Sequence, residues 1–419
     1  MFYIGLVIVA LAIFAIVKRF EVRLILFVSG LLMCLVAGNP LGAISAFTAG
    51  MIHGTLVPII CSVMGFAYVL KLTQCDAHLV HALTKPMTKL SKGLVPGAVI
   101  VTFLINTALT SAAGVSAAVG AILIPALMAA GVHPGLAAAA VMAGTFGSTL
   151  NPGNAHVVMV AGFAGVSPVD VAISIAPRSV VSALIGAVSI TIIAFVTKEY
   201  KGYVPENAEE VAAAGAEFKV NPLKAIVPAA PLALLVLSSS TVGLFETEVT
   251  VPQAMIAGIF LAGLVSWKNA QEVSKAFFSG MGQAYADVIG IIAAAGVFTT
   301  GMAQIGLTSA LIGAMEQSDA IVRVASTFGP MIIAILAGTG DAATLAFNNA
   351  ITPYAAQFGL DMIHLGNTAN IAGALGRTMS PLAPAAIICA SLAKVNPIEI
   401  TKRNGPGMFL AAIFIMLTL

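Results

Sequence analysis

"GSTLNPGN" (residues 147–154) interrupts a long apolar run, with "PGLAAAAVMAGTF" before it and "AHVVMVAGFAGV" after it. A second interruption, "GRTMSPLAP" (376–384), stands between "GNTANIAGAL" and "AAIICASLA". Glycine, proline and small polar residues end helices. Yet the flanking runs are too short to cross a bilayer separately, because a core about 30 Å thick takes roughly 20 apolar residues per helix. Each motif therefore reads as a break inside a membrane segment. Non-helical backbone at that depth is tolerated only when buried in protein or lining a wet cavity.

Composition sets the class. The 419-residue chain is 59% hydrophobic and 9% charged, with a mean hydropathy of +1.03, where soluble domains carry roughly 25% charged residues. The runs are continuously apolar instead of alternating, which predicts helices and excludes a barrel. The expected fold is an all-α integral membrane protein of about ten transmembrane helices plus two re-entrant hairpins. A formal net charge of +2 without a basic patch leaves no case for nucleic acid. Cys34, Cys61, Cys75 and Cys389 are scattered, and His78 and His81 lack a third ligand, so no metal site or cofactor is expected. The first run, "YIGLVIVALAIFAIV", has basic residues after it and none before, and reads as a retained helix.

Charge sets orientation. With the N-terminus outside, every Lys and Arg except Arg178, Arg323 and Arg377 falls on one side, which the positive-inside rule makes the cytoplasm. Both termini are then outside, and "FETEVT" (245–250) is an acidic outer loop. Residues 198–222 form a polar cytoplasmic linker between halves 1–197 and 223–419. The segment "AHLVHALTKPMTKLSKG" (77–93) has Leu79, Leu83, Met87 and Leu90 at helical spacing with Lys85, Lys89 and Lys92 between, the pattern of a helix lying on the membrane surface.

The halves repeat. Gly147, Thr149 and Pro152 align with Gly376, Thr378 and Pro381, and "VSPVDV" (166–171) aligns with "VNPIEI" (395–400). Upstream, "TSAAGVS" (110–116) aligns with "GTGDAAT" (338–344), and "AFTAGM" (46–51) with "AFFSGM" (276–281). The threading inserts the two turn motifs from opposite sides, so the repeats are inverted, as in many secondary transporters. Four breaks can then converge. Helix N-termini there suit a carboxylate, and freed carbonyls and hydroxyls suit a small cation.

Within the breaks, Arg377 is the one basic residue and Asp341 the one acidic residue, with repeat mates Ser148 and Ala113. Charges at membrane depth are costly and read as functional by default. Arg377, with Thr378, Ser380, Ser148, Thr149, Asn151, Asn154, Ser111 and Thr339, is the expected substrate site. Asp341, Thr344, Ser116 and Asp287 are the expected ion-coupling groups, for Na⁺ or H⁺, with Asp287 placed about eleven residues into its helix. The rival for Arg377 and Asp341 is a structural ion pair with each other. A second class is an intramembrane aspartyl protease: "GTGD" matches its GxGD, and Asp287 could pose as the second carboxylate. But the match is short, "YAD" stands where those proteases have a tyrosine–aspartate pair, and "SPLAPAA" lacks the accompanying proline–alanine–leucine order. A channel is the third reading, and breaks entering from both sides favour alternating access over it.

The stretches "IIAAAGVFTTGMAQIG" (291–306), "LAGTGDAATLAF" (336–347) and "LGRTMSP" with "AKVNPIEITKRN" (375–404) resemble the DcuC family of anaerobic C4-dicarboxylate carriers. That resemblance implies a non-enzymatic, ion-coupled or exchanging transporter in a bacterial inner membrane, a homodimer working as an elevator. Another carboxylate or an amino acid is the alternative cargo. It implies hairpins at 93–130 and 321–358, interrupted partner helices around 135–165 and 361–393, and scaffold helices within 1–92 and 223–320. The mobile parts would be 93–197 and 321–419. "STLNPGN" in the first half departs from the family pattern, as does Asp287, where the pattern has asparagine.

Overall fold

In the computed structural model the described residues are all of the chain except 88–92, 205–217, 240, 241, 243 and 317. They are helical, with no strand among them. Five helices are long and apolar enough to cross a membrane: Leu56–Thr73, Ala112–Ala129, Pro168–Val196, Ala270–Gln304 and Ala320–Ala337. Seven shorter apolar helices accompany them. The protein is a multi-pass membrane protein.

Capping chemistry cuts the apolar chain into elements. Asn39, His133, Ser167, Asn221 and Asn396 each accept a backbone N–H with the side chain, and each precedes a proline at the first helical position. A side-chain acceptor satisfies an orphan donor, and proline has no donor there to lose. The surface segment at 77–93 is shorter than its spacing suggests. Its helix runs Cys75–Thr84 and ends at Lys85, just before Pro86, although Lys85 itself keeps α-region dihedrals (φ -56°, ψ -42°). Leu79 is buried, while Leu83 and Met87 pack against the large core. Leu90, Lys89 and Lys92 lie outside the described residues.

Both sequence motifs break their helices. The first interrupted segment is Pro134–Ala143, a single tight turn at Gly147–Leu150, then Ala155–Ala164. The second is Met362–Thr378 followed by Pro384–Ala393. Each lies against a helical hairpin. Leu94–Ala108 turns back as Ala112–Ala129. Asp319–Ala337 turns back as Gly340–Ala350 with a tighter helical run, Thr352–Phe358. Pro125 and Pro353, which align when the match of 110–116 with 338–344 is extended, differ locally: Pro125 lies inside its helix, whereas Pro353 opens the tighter run.

Aligned positions share their backbone geometry elsewhere. Gly165 (φ 67°) and Lys394 (φ 54°) both end a broken helix in the left-handed region. Gly147 and Gly376 both allow a broken helix to touch its own hairpin: a Cβ on Gly147 would collide with the Phe103 carbonyl oxygen, and one on Gly376 with that of Met331.

Buried side chains gather into separate cores. The largest draws on the first hairpin, both interrupted segments and the helices Pro168–Val196 and Pro397–Leu417. A second draws mainly on Leu56–Thr73, Val251–Ser266 and the first half of the helix from Ala270. Outside the helix ends, Arg403 holds Glu199 through two hydrogen bonds and Glu399 through its backbone and carboxylate. Burial works to raise the Glu199 carboxyl, and the Arg403 hydrogen bonds and charge override it, leaving it below the usual carboxylate range.

Gly147→Ala and Gly376→Ala should each lower the melting temperature of the purified protein, by about 1–3 kcal/mol of stability, because the obstructing atoms are backbone and cannot rotate away. Gly162→Ala, which meets open space, should leave it unchanged. Equal melting of all three variants would show that the close approaches do not constrain the fold.

Candidate functional site

Four helices begin at one cavity of about 970 Å³. Ser111 and Ala112 reach it from the first hairpin, Thr339 and Gly340 from the second. Asn154 and Ala155 reach it from the first broken helix, Pro384 and Ala385 from the second. Each N-terminus carries about half a positive charge and up to four free N–H groups. Three are capped by their own side chains: Ser111 Oγ accepts from Gly114 N (3.1 Å), Asn154 Oδ1 from His156 N (3.0 Å), and Thr339 Oγ1 from Asp341 N (3.4 Å). The fourth has Ala383 in the capping position and no side-chain cap.

The charged groups on this wall cross between the halves of the chain. Arg377, in the last turn of Met362–Thr378, donates through Nη2 to Thr145 O at 2.6 Å, just past the end of Pro134–Ala143. A guanidinium there faces the negative end of that helix. Asp341 pairs with His156 Nε2 at 3.0 Å, with the His156 side chain 10% accessible and that of Asp341 67%. Asp341 lies deep in the protein, and its accessible surface is cavity surface. Arg377 acts on Asp341 electrostatically, but the hydrogen-bond partner is His156. The sequence reading expected an Arg377–Asp341 structural pair as the rival; neither hydrogen bond takes that form.

The expected site residues divide. Ser111, Ser148, Thr149, Asn151, Asn154, Thr339, Asp341, Thr344, Arg377 and Asp287 all line the cavity. Thr378, Ser380 and Ser116 are buried away from its wall. Thr378 Oγ1 donates to Leu375 O (2.7 Å), and Ser380 Oγ donates to Ile335 O (2.6 Å) while accepting from Leu382 N. Asn151 is on the wall but its amide is spent: Nδ2 donates to Thr107 O and Oδ1 accepts from Gly153 N, both at 2.8 Å. Thr149 Oγ1 is engaged with Phe146 O (2.9 Å) and Ser179 Oγ (2.7 Å).

Asp287 lies in a π-helical turn, Tyr285–Ile289, halfway along the 35-residue helix Ala270–Gln304. It is therefore further from the helix start than the eleven residues expected. Such single wide turns recur at functional sites. Gln283 Nε2 donates to Asp287 at 2.6 Å, and Arg23 Nη1 donates to the neighbouring Ala286 O at 2.7 Å. The two aspartates weighed as a protease dyad thus have different partners, His156 and Gln283.

Three wall or support residues escaped the sequence reading. His156 matched no metal motif. Asn370 lies inside the run flanking "GRTMSPLAP"; its Oδ1 accepts from Asn348 Nδ2 (2.8 Å), and Asn348 in turn accepts from Thr352 Oγ1 (2.8 Å). Asn106 accepts the Ser148 N–H at 2.9 Å from across the hairpin. An uninterrupted apolar flank hides such residues, since only the fold shows which face they take.

The sequence model of the C4-dicarboxylate anaerobic carrier family matches residues 40–419. An uncharacterized transporter of Haemophilus influenzae is 40% identical over 281 residues, 64% of this chain and 99% of that protein. The anaerobic C4-dicarboxylate transporter DcuC of Escherichia coli K12 is 24% identical over 375 residues, 87% of this chain and 79% of that protein. The Vibrio cholerae protein named a probable transporter of the same kind is 26% identical over 381 residues, covering 87% of this chain and 80% of that protein.

Asn151→Ala should act on folding first. It removes two hydrogen bonds to backbone groups in a buried turn, each worth about 1–3 kcal/mol when its partner is left unsatisfied. A fall in melting temperature, with ligand affinity kept in the fraction that remains folded, is the expected result. An unchanged melting temperature with lost affinity would make Asn151 a ligand-binding residue instead.

Proposed function

The chain belongs to the DcuC family of C4-dicarboxylate anaerobic carriers, and on that premise we propose that it carries four-carbon dicarboxylates of the succinate, fumarate and malate type. The observation that carries this reading is the convergence of four helix N-termini and Arg377 on one cavity. A dianion leaving water needs compensation of both charges, and oriented N–H groups plus a guanidinium supply it without mobile counter-ions. Arg377 would grip one carboxylate through parallel hydrogen bonds, a geometry lysine cannot reproduce. The hydroxyls of Ser111, Thr339 and Ser148 stand where they can donate to the remaining oxygens. Asp341, Thr344 and Asp287, on the same wall, are the groups through which Na⁺ or H⁺ would couple.

The proposed mechanism is an elevator. The hairpins and interrupted helices, which together carry the site, would move as one body. The helices around 40–73 and 251–304 would form the fixed scaffold of a homodimer. The matched backbone turns at Gly165 and Lys394, and the matched close approaches at Gly147 and Gly376, support the inverted repeat on which this rests. The bacterial inner membrane is what the family supports, and the distribution of basic residues supports placing both termini outside.

Arg377→Lys should weaken succinate binding by about 1.5–3 kcal/mol, the worth of a charge-assisted hydrogen bond, which is roughly ten- to a hundredfold in Kd. Titration calorimetry on folded protein checks this; wild-type affinity in the variant refutes the role. A panel with amino acids and monocarboxylates in the same cell tests the cargo class. For topology, single cysteines at Thr247 and at Ser91, the latter outside the described residues, should label from opposite sides of the membrane. Labelling from the same side would overturn the inverted arrangement.

A further inference from the structure

In this structure a carboxylate of the protein, that of Asp341, already occupies one of the helix starts at the cavity. Asp341 Oδ1 sits 3.0 Å from His156 Nε2, in the first turn of the helix Ala155–Ala164. An anion is favoured there by the positive end of the helix. We propose that Asp341 is a tethered competitor of the substrate: one carboxylate of the dicarboxylate displaces it and takes its place on His156. This rests on the dicarboxylate reading above and assigns His156 as a substrate-binding residue.

Three observations carry the step. The His156 ring is nine-tenths buried, and its Nδ1 is a buried atom with no hydrogen-bond partner. Asp341 is then its side-chain partner, and losing it without replacement would leave a buried imidazole unsatisfied, which is costly. A substrate carboxylate replaces like with like. Secondly, Asp341 is mostly accessible from the cavity, so the pair can be approached from the side the substrate enters. Thirdly, the repeat mates of the charged residues are small. Asp341 aligns with Ala113, His156 with Ala385 and Arg377 with Ser148, and all three mates line the same cavity. The positions matched to the charged residues therefore carry only small side chains on that wall, and the cavity of about 970 Å³ has room for a ligand.

The other charges on the wall do not serve this purpose. Lys71 acts electrostatically on Asp76, and Asp287 is held by Gln283. Arg377 acts on Asp341 from a distance while bonded to Thr145 O, so a carboxylate arriving at His156 comes within its field. Asp341, once released, is a free carboxylate beside a bound dianion, which obliges a cation to bind with the substrate.

The test is a mutant cycle on the purified full chain with succinate as the probe. Asp341→Asn keeps the shape and removes the charge, and should tighten succinate binding about tenfold. Loss of a nearby negative charge could do that by itself, so the second arm decides. In the His156→Gln background the same change should give no tightening, because the contested position is gone. Tightening that persists without His156 reduces the effect to charge repulsion and overturns the proposal, as does an Asp341→Asn variant that binds no better than wild type. If either variant does not fold, ¹⁵N-histidine spectra of wild type decide: succinate should shift the imidazole resonance of His156, and an unmoved resonance refutes the displacement. Wild type that binds no dicarboxylate at all sinks the functional reading along with this inference.

Discussion

Breaking a helix inside an apolar core releases backbone N–H and C=O groups that water cannot reach, and each costs several kcal/mol if left unpaired. The rest of this structure depends on how four such breaks are satisfied. At the first broken helix the work falls to amides: Asn106 takes the Ser148 N–H, and Asn151 bonds the Thr107 carbonyl and the Gly153 N–H. At the second it falls to Ser380, which bonds the Ile335 carbonyl and the Leu382 N–H. Both solutions tie a broken helix to its own hairpin. A hairpin and its partner therefore cannot separate without exposing donors and acceptors, which is what the proposed elevator would need of a part that moves as one unit.

What the breaks leave unsatisfied is equally informative. Three of the four helix starts at the cavity are closed by a serine, threonine or asparagine, and the one at Pro384 is not. Helix starts facing an enclosed space make a field of one sign that no lipid and few waters can screen. On the reading proposed above, that field would select for anions before any particular side chain does. Arg377 then adds direction, because a guanidinium is planar and accepts a carboxylate in a limited range of orientations.

Much of this was legible in the sequence, and the reasons are local. "GSTLNPGN" and "GRTMSPLAP" announce breaks because glycine and proline act on the backbone where they stand. Arg377 and Asp341 stand out because charge is rare in an apolar chain. What the sequence hid is of two kinds. Thr378 and Ser380 lie in the motif but turn their hydroxyls to backbone carbonyls beneath it, because a short polar side chain satisfies the nearest orphan group first. His156 and Asn370 lie on the wall but in runs that read as plain helix. Partners far apart in the chain, such as His156 and Asp341, are brought together only by packing.

The repeat and the charges obey different rules, and their mismatch shapes the site. Backbone geometry recurs between the halves: Gly147 answers to Gly376, and Gly165 to Lys394. The ionisable residues do not recur, since Arg377, Asp341 and His156 answer to Ser148, Ala113 and Ala385. A frame with two like halves can take two mirror-related postures at similar energy, which alternating access requires. A site with like halves would hold a ligand equally in either direction and couple it to nothing. Arg377 and Asp341 come from the second half and His156 from the first, so these ionisable groups meet across the halves while the backbone keeps the repeat, and the cavity gains a polarity that the frame lacks. On the dicarboxylate reading proposed above, that polarity would give dicarboxylate and cation each a distinct place.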